Sequence, residues 1–218
     1  MTLKSINFSG GNLASAPTGA YVQTVPDPLD PGYFQADELR QLGFAHVGKD
    51  VTVARTCTIV GRENIRIGDY SRIDSYVTIV ATRGTLRIGR NVHVCSGCVI
   101  GARGGAVLDD FCSLSHGVKL LSAVDDYRGE LMTNSTLPRT LVGVQQAPVR
   151  ICRFVPVGVN SVILPGVTIA EGGAVAAMSV VATSLPEWTI CGGNPAVPLR
   201  PRARTLLASA MRLADDGG

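Results

Sequence analysis

The functional groups of this chain crowd into one stretch. From Leu121 the sequence reads LSAVDDYRGELMTNSTLPRTLVGVQQAPVR, and Asp125, Asp126, Tyr127, Arg128, Glu130 and Asn134 fall within ten residues of one another. A carboxylate with its ordinary pKa near 3.9 is a weak base toward a hydroxyl. It suits an amine better, because it can bind the ammonium form or accept the proton shed after attack. The nearest imidazole is His116, in LSHGVKL just ahead of this stretch, and imidazole is the side chain that changes charge nearest neutral pH. His46 and His93 each immediately precede a regularly spaced aliphatic residue and read as surface or corner positions. The candidates for proton transfer are thus His116, Asp125 and Asp126. The six cysteines read as structural thiols. Cys57, Cys98 and Cys112 stand where a small apolar residue belongs, and no CxxC pair is matched by a second pair or by a histidine at zinc spacing. No metal is expected.

The elements that must position these groups repeat every six residues. Residues 151–186 divide into ICRFVP, VGVNSV, ILPGVT, IAEGGA, VAAMSV and VATSLP, each opened by an aliphatic residue: Ile151, Val157, Ile163, Ile169, Val175 and Val181. Six steps on a helix turn through about 600°, so such a repeat would wander around a helical surface. Six steps on a strand are three whole alternations, which keep one face apolar. The same spacing joins Val47, Val53 and Ile59; Ile67, Ile73 and Ile79; Ile88, Val94 and Ile100; and Leu108, Leu114 and Leu120. Three short strands per turn make a triangular prism, whose six turns at strand spacing stand roughly 29 Å tall. Neighbouring turns supply one another's core, as in any solenoid.

Between triplets the spacing slips to eight or nine residues, with Glu63, Arg83 and Gly104 at the slips, as expected where a corner is loosened. The largest break separates Leu120 from Ile151 by 31 residues instead of six, a loop at about 121–150 on an otherwise regular scaffold. Long ordered loops on rigid scaffolds commonly carry function.

Three segments are expected: an arm and short helix over 1–46, the prism over 47–186 with its loop, and an extension over 187–218. The arm, residues 1–32, is rich in Gly, Ser, Ala and Pro, and FQADELRQLG at 34–43 predicts a helix closed by Gly43. After the turn Gly192-Gly193-Asn194-Pro195, a second helix is predicted from about Ala203 to Leu213, placed to cover the open end of the prism. Aromatic residues make up only 5% of the chain, which suits a narrow interior of Val and Ile. A net charge of +3 argues against nucleic acid as a partner. No apolar run reaches membrane-spanning length and the N-terminus lacks an apolar signal core, so no membrane partner and a cytoplasmic location are expected.

The run VGVNSV-ILPGVT-IAEGGA-VAAMSV-V, closed by GGNPA, resembles the hexapeptide-repeat acyltransferases. Within them it is most similar to the sugar and small-molecule O-/N-acetyltransferases of the galactoside, maltose and xenobiotic type. ELRQLGFAHVGKDV, NIRIGDYSRID and DDYRGELMTNSTLP resemble a bacterial branch associated with surface-polysaccharide sugars. The likeness covers roughly residues 33–202. It implies an all-β, left-handed parallel β-helix, a homotrimer, and acetyl-CoA lying between adjacent prisms as acyl donor to a small carbohydrate acceptor. Carried over by position, the pantetheine arm would run along Gly158, Val159, Ala176, Ala177 and Ser179. A Thr-Lys pair common in the family is replaced here by Ala182 and Thr183, so one phosphate contact is missing and Thr183 is left at the site. Arg200, then Arg202, are the expected contacts to CoA phosphates. The family's catalytic histidine falls at Asp125, and Tyr127, Arg128 and Asn134 beside it are expected to bind the acceptor.

That replacement favours an amino sugar, possible in nucleotide-linked form, over a hydroxyl acceptor. Two other classes stay open. One is a trimeric scaffold that kept the fold and lost its base. The other is a zinc enzyme of the same architecture, which needs three histidines where only His93 and His116 are plausible.

Overall fold

A computed structural model describes residues 29–215. The arm expected over 1–32 lies almost wholly outside them. Every aliphatic residue of the six-residue repeat from Ile67 onward turns inward and is buried, and the chain coils around three flat faces. In chain order, the first face holds His46–Val47, Ile65–Ile67, Leu86–Ile88, Ala106–Leu108, Val149–Ile151 and Thr168–Ile169. The second holds Thr52–Ala54, Arg72–Ile73, His93–Val94, Ser113–Leu114, Pro156–Val157, Ala174–Val175 and Thr189–Gly192. The third holds Thr58–Val60, Thr78–Val80, Val99–Gly101, Lys119–Leu121, Val162–Ile163 and Val180–Val181. Pairing within each face is parallel, so this is a β-helix of six full turns with a seventh rung on the second face. The fold is the all-β parallel β-helix that the hexapeptide pattern implied.

Antiparallel strands close the second face at both ends: Tyr33–Gln35 against Thr52–Ala54, and Val197–Pro201 against Thr189–Gly192. Such cover prevents an open sheet edge from pairing with another chain. The first helix is Ala36–Gln41, shorter than predicted because Tyr33–Gln35 is taken up as strand. The second is Leu206–Asp215. It lies beside the corner between the first and second faces, near Phe111 and Phe154, and not over the prism's end, which the terminal hairpin already closes. No helix among the described residues is long and apolar enough to cross a membrane.

Tightness of the column follows from its period. Leu114, fully buried, sits between Val94 and Val157 on adjoining turns. Leu114→Ala would leave a hole that neighbouring backbones, pinned by ladder hydrogen bonds, cannot close. We expect a loss of about 2–5 kcal/mol of stability, read from urea unfolding. Corners demand a left-handed residue once per turn, normally Gly or Asn. At the corner between first and second faces that place is taken by Tyr70, Phe111, Phe154 and Trp188 among others, and Phe111 stacks on Phe154 at 5.2 Å.

The slips in the repeat all fall on one corner, where the third face hands over to the first. They appear as the turn Arg62–Asn64, the loop 81–85 and the loop 102–105. The long insertion springs from the same corner one turn later. It is a ribbon, with Ala123–Asp125 antiparallel to Val144–Gln146.

Candidate active site

Two arrangements of polar groups stand on different edges of the prism. The first lies under the ribbon. A cavity of about 400 Å³ is lined by Arg83, Arg103, Asp125 and Arg139, with Ser135, Leu137, Val142 and Val144. Arg83 and Arg103 reach it from two loosened corners one turn apart, and the ribbon supplies the rest. Among the described residues none of the three arginines has an ion-pair partner. The sequence reading treated Arg83 only as a polar exception and passed over Arg103. The available signal was that the slips and the insertion recur on the same corner, so polar residues there converge.

The adjacent aspartates divide their roles. Asp125 faces the cavity. Asp126 is nearly buried, and its two oxygens accept the backbone N–H groups of Arg128 and Leu131, each at 2.8 Å. Those bonds hold its carboxyl below the usual range, Arg128 first and Leu131 second. Asp126 therefore builds the ribbon's turn, which corrects its expected part in proton transfer. Asn134 does similar work, its side-chain oxygen accepting the backbone N–H and the hydroxyl of Thr136. Tyr127 and Arg128 stand exposed beyond the turn.

The second arrangement runs up the other side of the third face, at its corner with the second. There the outward positions Asp74, Cys95, Ser115, Gly158 and Ala176 are successive rungs, each backbone N–H bonded to the turn above. Beside them the corner positions are Ser75, Ser96, His116, Val159 and Ala177, the carbonyls of the first four accepting the N–H groups of Gly97, Gly117, Asn160 and Met178 on the turn above. The residues expected to line a pantetheine arm thus form one track, with His116 exposed a single rung below Val159. The track is narrow by necessity: a Cβ on Gly158 would come within 2.5 Å of the Ala177 nitrogen. Ser179 is not on its surface. It is fully buried, its hydroxyl donating to the Ala176 carbonyl and accepting from the Gly193 N–H. That bond ties the GGNPA turn to the last rung, and a serine takes an inward place because it satisfies both groups.

Arg200 lies exposed on the closing strand, paired with Ile190 at the upper end of the outward column next to the track. Arg202 is turned the other way. Its guanidinium donates to the carbonyls of Phe154 at 2.6 Å, Gly172 at 2.9 Å and Gly173 at 3.2 Å, so it fastens the closing strand to a corner and is not open to phosphate. Thr183 is exposed on the corner that bears the ribbon, across the third face from Gly158 and Ala176. Between the two edges the third face presents aliphatic side chains outward, including Val60 at 45% and Val80 at 40% exposure.

Low on the second face, Asp74, His93 and Cys95 lie together. His93 Nε2 is 2.8 Å from Asp74 Oδ2, while Asp74 Oδ1 accepts from Arg72 Nε at 2.6 Å and from the Tyr33 hydroxyl at 3.0 Å. Both carboxylate oxygens are thus engaged, and the Arg72 guanidinium already balances the Asp74 charge. The donor set does not fit a metal. His93, read from sequence as a surface or corner residue, is exposed and also joins this hydrogen-bonded group.

No family model matches the chain. It is 30% identical over 175 residues to the dTDP-4-amino-4,6-dideoxy-D-glucose acyltransferase of Escherichia coli, covering 80% of this chain and 91% of that protein. WcaF of Escherichia coli strain K12, named for an acetyltransferase role in colanic acid biosynthesis, is 26% identical over 201 residues, 91% of this chain and 93% of the other. Among solved structures the chain is similar to AntD, an N-acyltransferase from Bacillus cereus held with dTDP and 3-hydroxybutyryl-CoA. The TM-score is 0.80 at 30% identity, over 85% of this chain and 97% of that one. A variant of AntD is held with dTDP-4-amino-4,6-dideoxyglucose and coenzyme A.

Proposed function

The chain belongs to the hexapeptide-repeat acyltransferases that move an acyl group from acyl-CoA to a sugar, and on that footing we propose a nucleotide-linked amino sugar as its acceptor. In this reading the sugar nitrogen attacks the thioester carbonyl and a tetrahedral intermediate forms. The nitrogen then loses a proton and the C–S bond breaks, leaving an amide and CoA.

The cavity beneath the ribbon carries the proposal. Three arginines without ion-pair partners, next to a single carboxylate, match a ligand with a diphosphate at one end and an amine at the other. Guanidinium forks bind phosphate oxygens in pairs, and Asp125 is placed to attract the ammonium form. Support comes from the Escherichia coli relative, named for an amino-sugar nucleotide, and from the complex of the AntD variant with that compound. Transfer to nitrogen also fits a site whose loop carries a carboxylate where the family's histidine stands. The likeness to a colanic acid enzyme supports a place in surface-polysaccharide synthesis.

We place the acyl donor along the rungs Ala176 and Gly158, with Val159 and Ala177 at its side and Arg200 on its phosphates. The ribbon and this track lie on different corners of one prism, separated by an aliphatic face. Packing that face against a neighbour would bring the ribbon of one copy to the track of the next, and a ring of three closes such a head-to-tail contact. The proposed assembly is therefore a homotrimer, in which Thr183 comes to the donor from the adjoining copy. Six free cysteines among the described residues suit the reducing cytoplasm.

The test is acyl transfer by purified protein from acetyl-CoA and from 3-hydroxybutyryl-CoA. Free thiol and product mass would be followed with dTDP-4-amino-4,6-dideoxyglucose, its 4-hydroxy counterpart and an amino sugar lacking the nucleotide. Turnover of the first alone is expected. Preference for the hydroxy compound would reject the amine, and indifference to the nucleotide would reject the diphosphate site. Absence of saturable heat with acetyl-CoA would identify a scaffold.

A further inference from the structure

We infer that His93, oriented by Asp74, is the general base that takes the proton from the acceptor nitrogen. This rests on the acyl-transfer reading above, and adds to His116, which stands on the track with no carboxylate bonded to it among the described residues, a second imidazole one rung lower that a carboxylate holds in place.

Cys95 is two rungs below Gly158 on the same outward column, with Ser115 between them. Rungs are about 4.8 Å apart. Arg200 pairs with Ile190 at the head of the adjoining outward column, the one that runs down through Ala174, Pro156 and Ser113 to His93. A donor with its phosphates there and its arm along Ala176 and Gly158 directs its sulfur downward, to Ser115 and Cys95. Cys95 directly follows the strand His93–Val94, and the His93 ring nitrogens lie 3.8 Å from its sulfur. The thioester thus arrives beside an imidazole that is 47% exposed and open to an incoming acceptor.

The imidazole is also prepared for the role. Asp74 accepts from Nε2–H, which leaves the lone pair of Nδ1 free to receive a proton. Asp74 itself is fixed from two further sides, by Arg72 on its own strand and by Tyr33 on the antiparallel strand below. Burial alone would raise its carboxyl, but the bonds from Arg72, His93 and Tyr33 outweigh this and keep it below the usual range. An ionised partner then stabilises the imidazolium formed during the reaction. Facing His93 are Asp74 and Arg72 from the turn below, Tyr33 beyond them, Cys95 just after its own strand, and uncharged Ser113 above.

Cys95 is not an acyl carrier. Its sulfur is equidistant from both ring nitrogens, at 3.8 Å. Burial raises its thiol, and the Asp74 charge raises it further, so the nucleophilic thiolate is disfavoured. The step therefore runs directly. The acceptor nitrogen bonds to the acyl carbon, its proton passes to His93 Nδ1, the C–S bond breaks, and the departing sulfur takes a proton to give CoA. His93 is the catalytic residue here and Asp74 its positioning residue.

His93→Gln removes the basic nitrogen while keeping an amide N–H that can donate to Asp74. We expect kcat to fall about 10²–10⁴-fold with KM for acyl-CoA retained. The limb that general-base catalysis gives the pH–rate profile should disappear. Asp74→Asn should give a smaller fall in kcat and leave that limb in a shifted position. A purely structural role for the pair would lower thermal stability and leave the limb in place, which would overturn the proposal. A second measurement is independent of the acceptor: in crystals soaked with CoA, the sulfur should lie within one hydrogen bond or one bridging water of His93. A sulfur seated on another face overturns the base assignment even if amino sugars are turned over. Failure of the wild-type protein to acylate any amino-sugar nucleotide, with the sulfur at His93, would overturn the acceptor and not the base.

Discussion

Replacing Asp125 by Asn should lower kcat/KM for an amino-sugar nucleotide by about 10²-fold, the cost of losing one charge-assisted bond to the reacting group. The side chains are nearly the same size, so the cavity keeps its shape and only the charge is lost. The loss should fall on the amine: a nucleotide sugar with no amine should bind the variant as well as the wild type. Asp126→Asn is the informative control. Asp126 faces into the ribbon's turn and holds two backbone amides, so its replacement should loosen the ribbon and weaken binding of every nucleotide sugar alike. If both variants behave identically, with or without an amine on the ligand, Asp125 does not contact the reacting nitrogen.

This contrast between neighbouring aspartates shows where reading the sequence stops. Inward and outward positions along the prism were legible because a strand alternates with period two and six is a multiple of two. That arithmetic placed Leu114, Leu120 and Ile163 in the core, where they are fully buried. It also showed that something breaks the rhythm after Leu120. Within the insertion there is no period, and nothing in DDY says which carboxylate turns to the backbone. Arg202 misled for a related reason. Near the chain's end a lone arginine looks available, yet three corner carbonyls that need donors lie a turn away. Ser179 misled in the opposite sense, as a polar residue placed outside that belongs inside, because a ladder of serines and carbonyls satisfies it.

The Asp74–His93 pair was hidden by distance along the chain. The two residues are 19 apart, while the turn between them, lengthened by a loosened corner, is 21 residues, so they meet diagonally and only after the slip is counted. Arg83 and Arg103 are 20 apart for the same cause. Stacking converts a separation of one turn into a contact, and polar residues at such spacing on the outer surface become candidates for a shared site. A period found for the core therefore also predicts surface neighbours, once each turn is given its own length.

That rule makes the second large effect specific. With both Arg83 and Arg103 changed to Ala, KM for the amino-sugar nucleotide should rise about 10²–10⁴-fold, each guanidinium contributing about 1.5–3 kcal/mol through charge-assisted bonds. Neither arginine has an ion-pair partner among the described residues, and both sit on loosened corners outside the packed column. Stability should therefore change little, and far less than in Leu114→Ala. The acyl donor binds on the other edge, so KM for acyl-CoA should hold steady. An amino sugar without a nucleotide lacks the diphosphate, so the double variant should handle it as poorly as the wild type does. Lysines in place of the arginines should restore only part of the loss, since an ammonium offers a point charge where the fork offers two parallel donors. Competition with inorganic diphosphate provides the direct check: it should displace the nucleotide sugar from the wild type and have no site in the double variant. Equal KM values in the two proteins would move the diphosphate away from this corner, and the proposed acceptor's orientation with it.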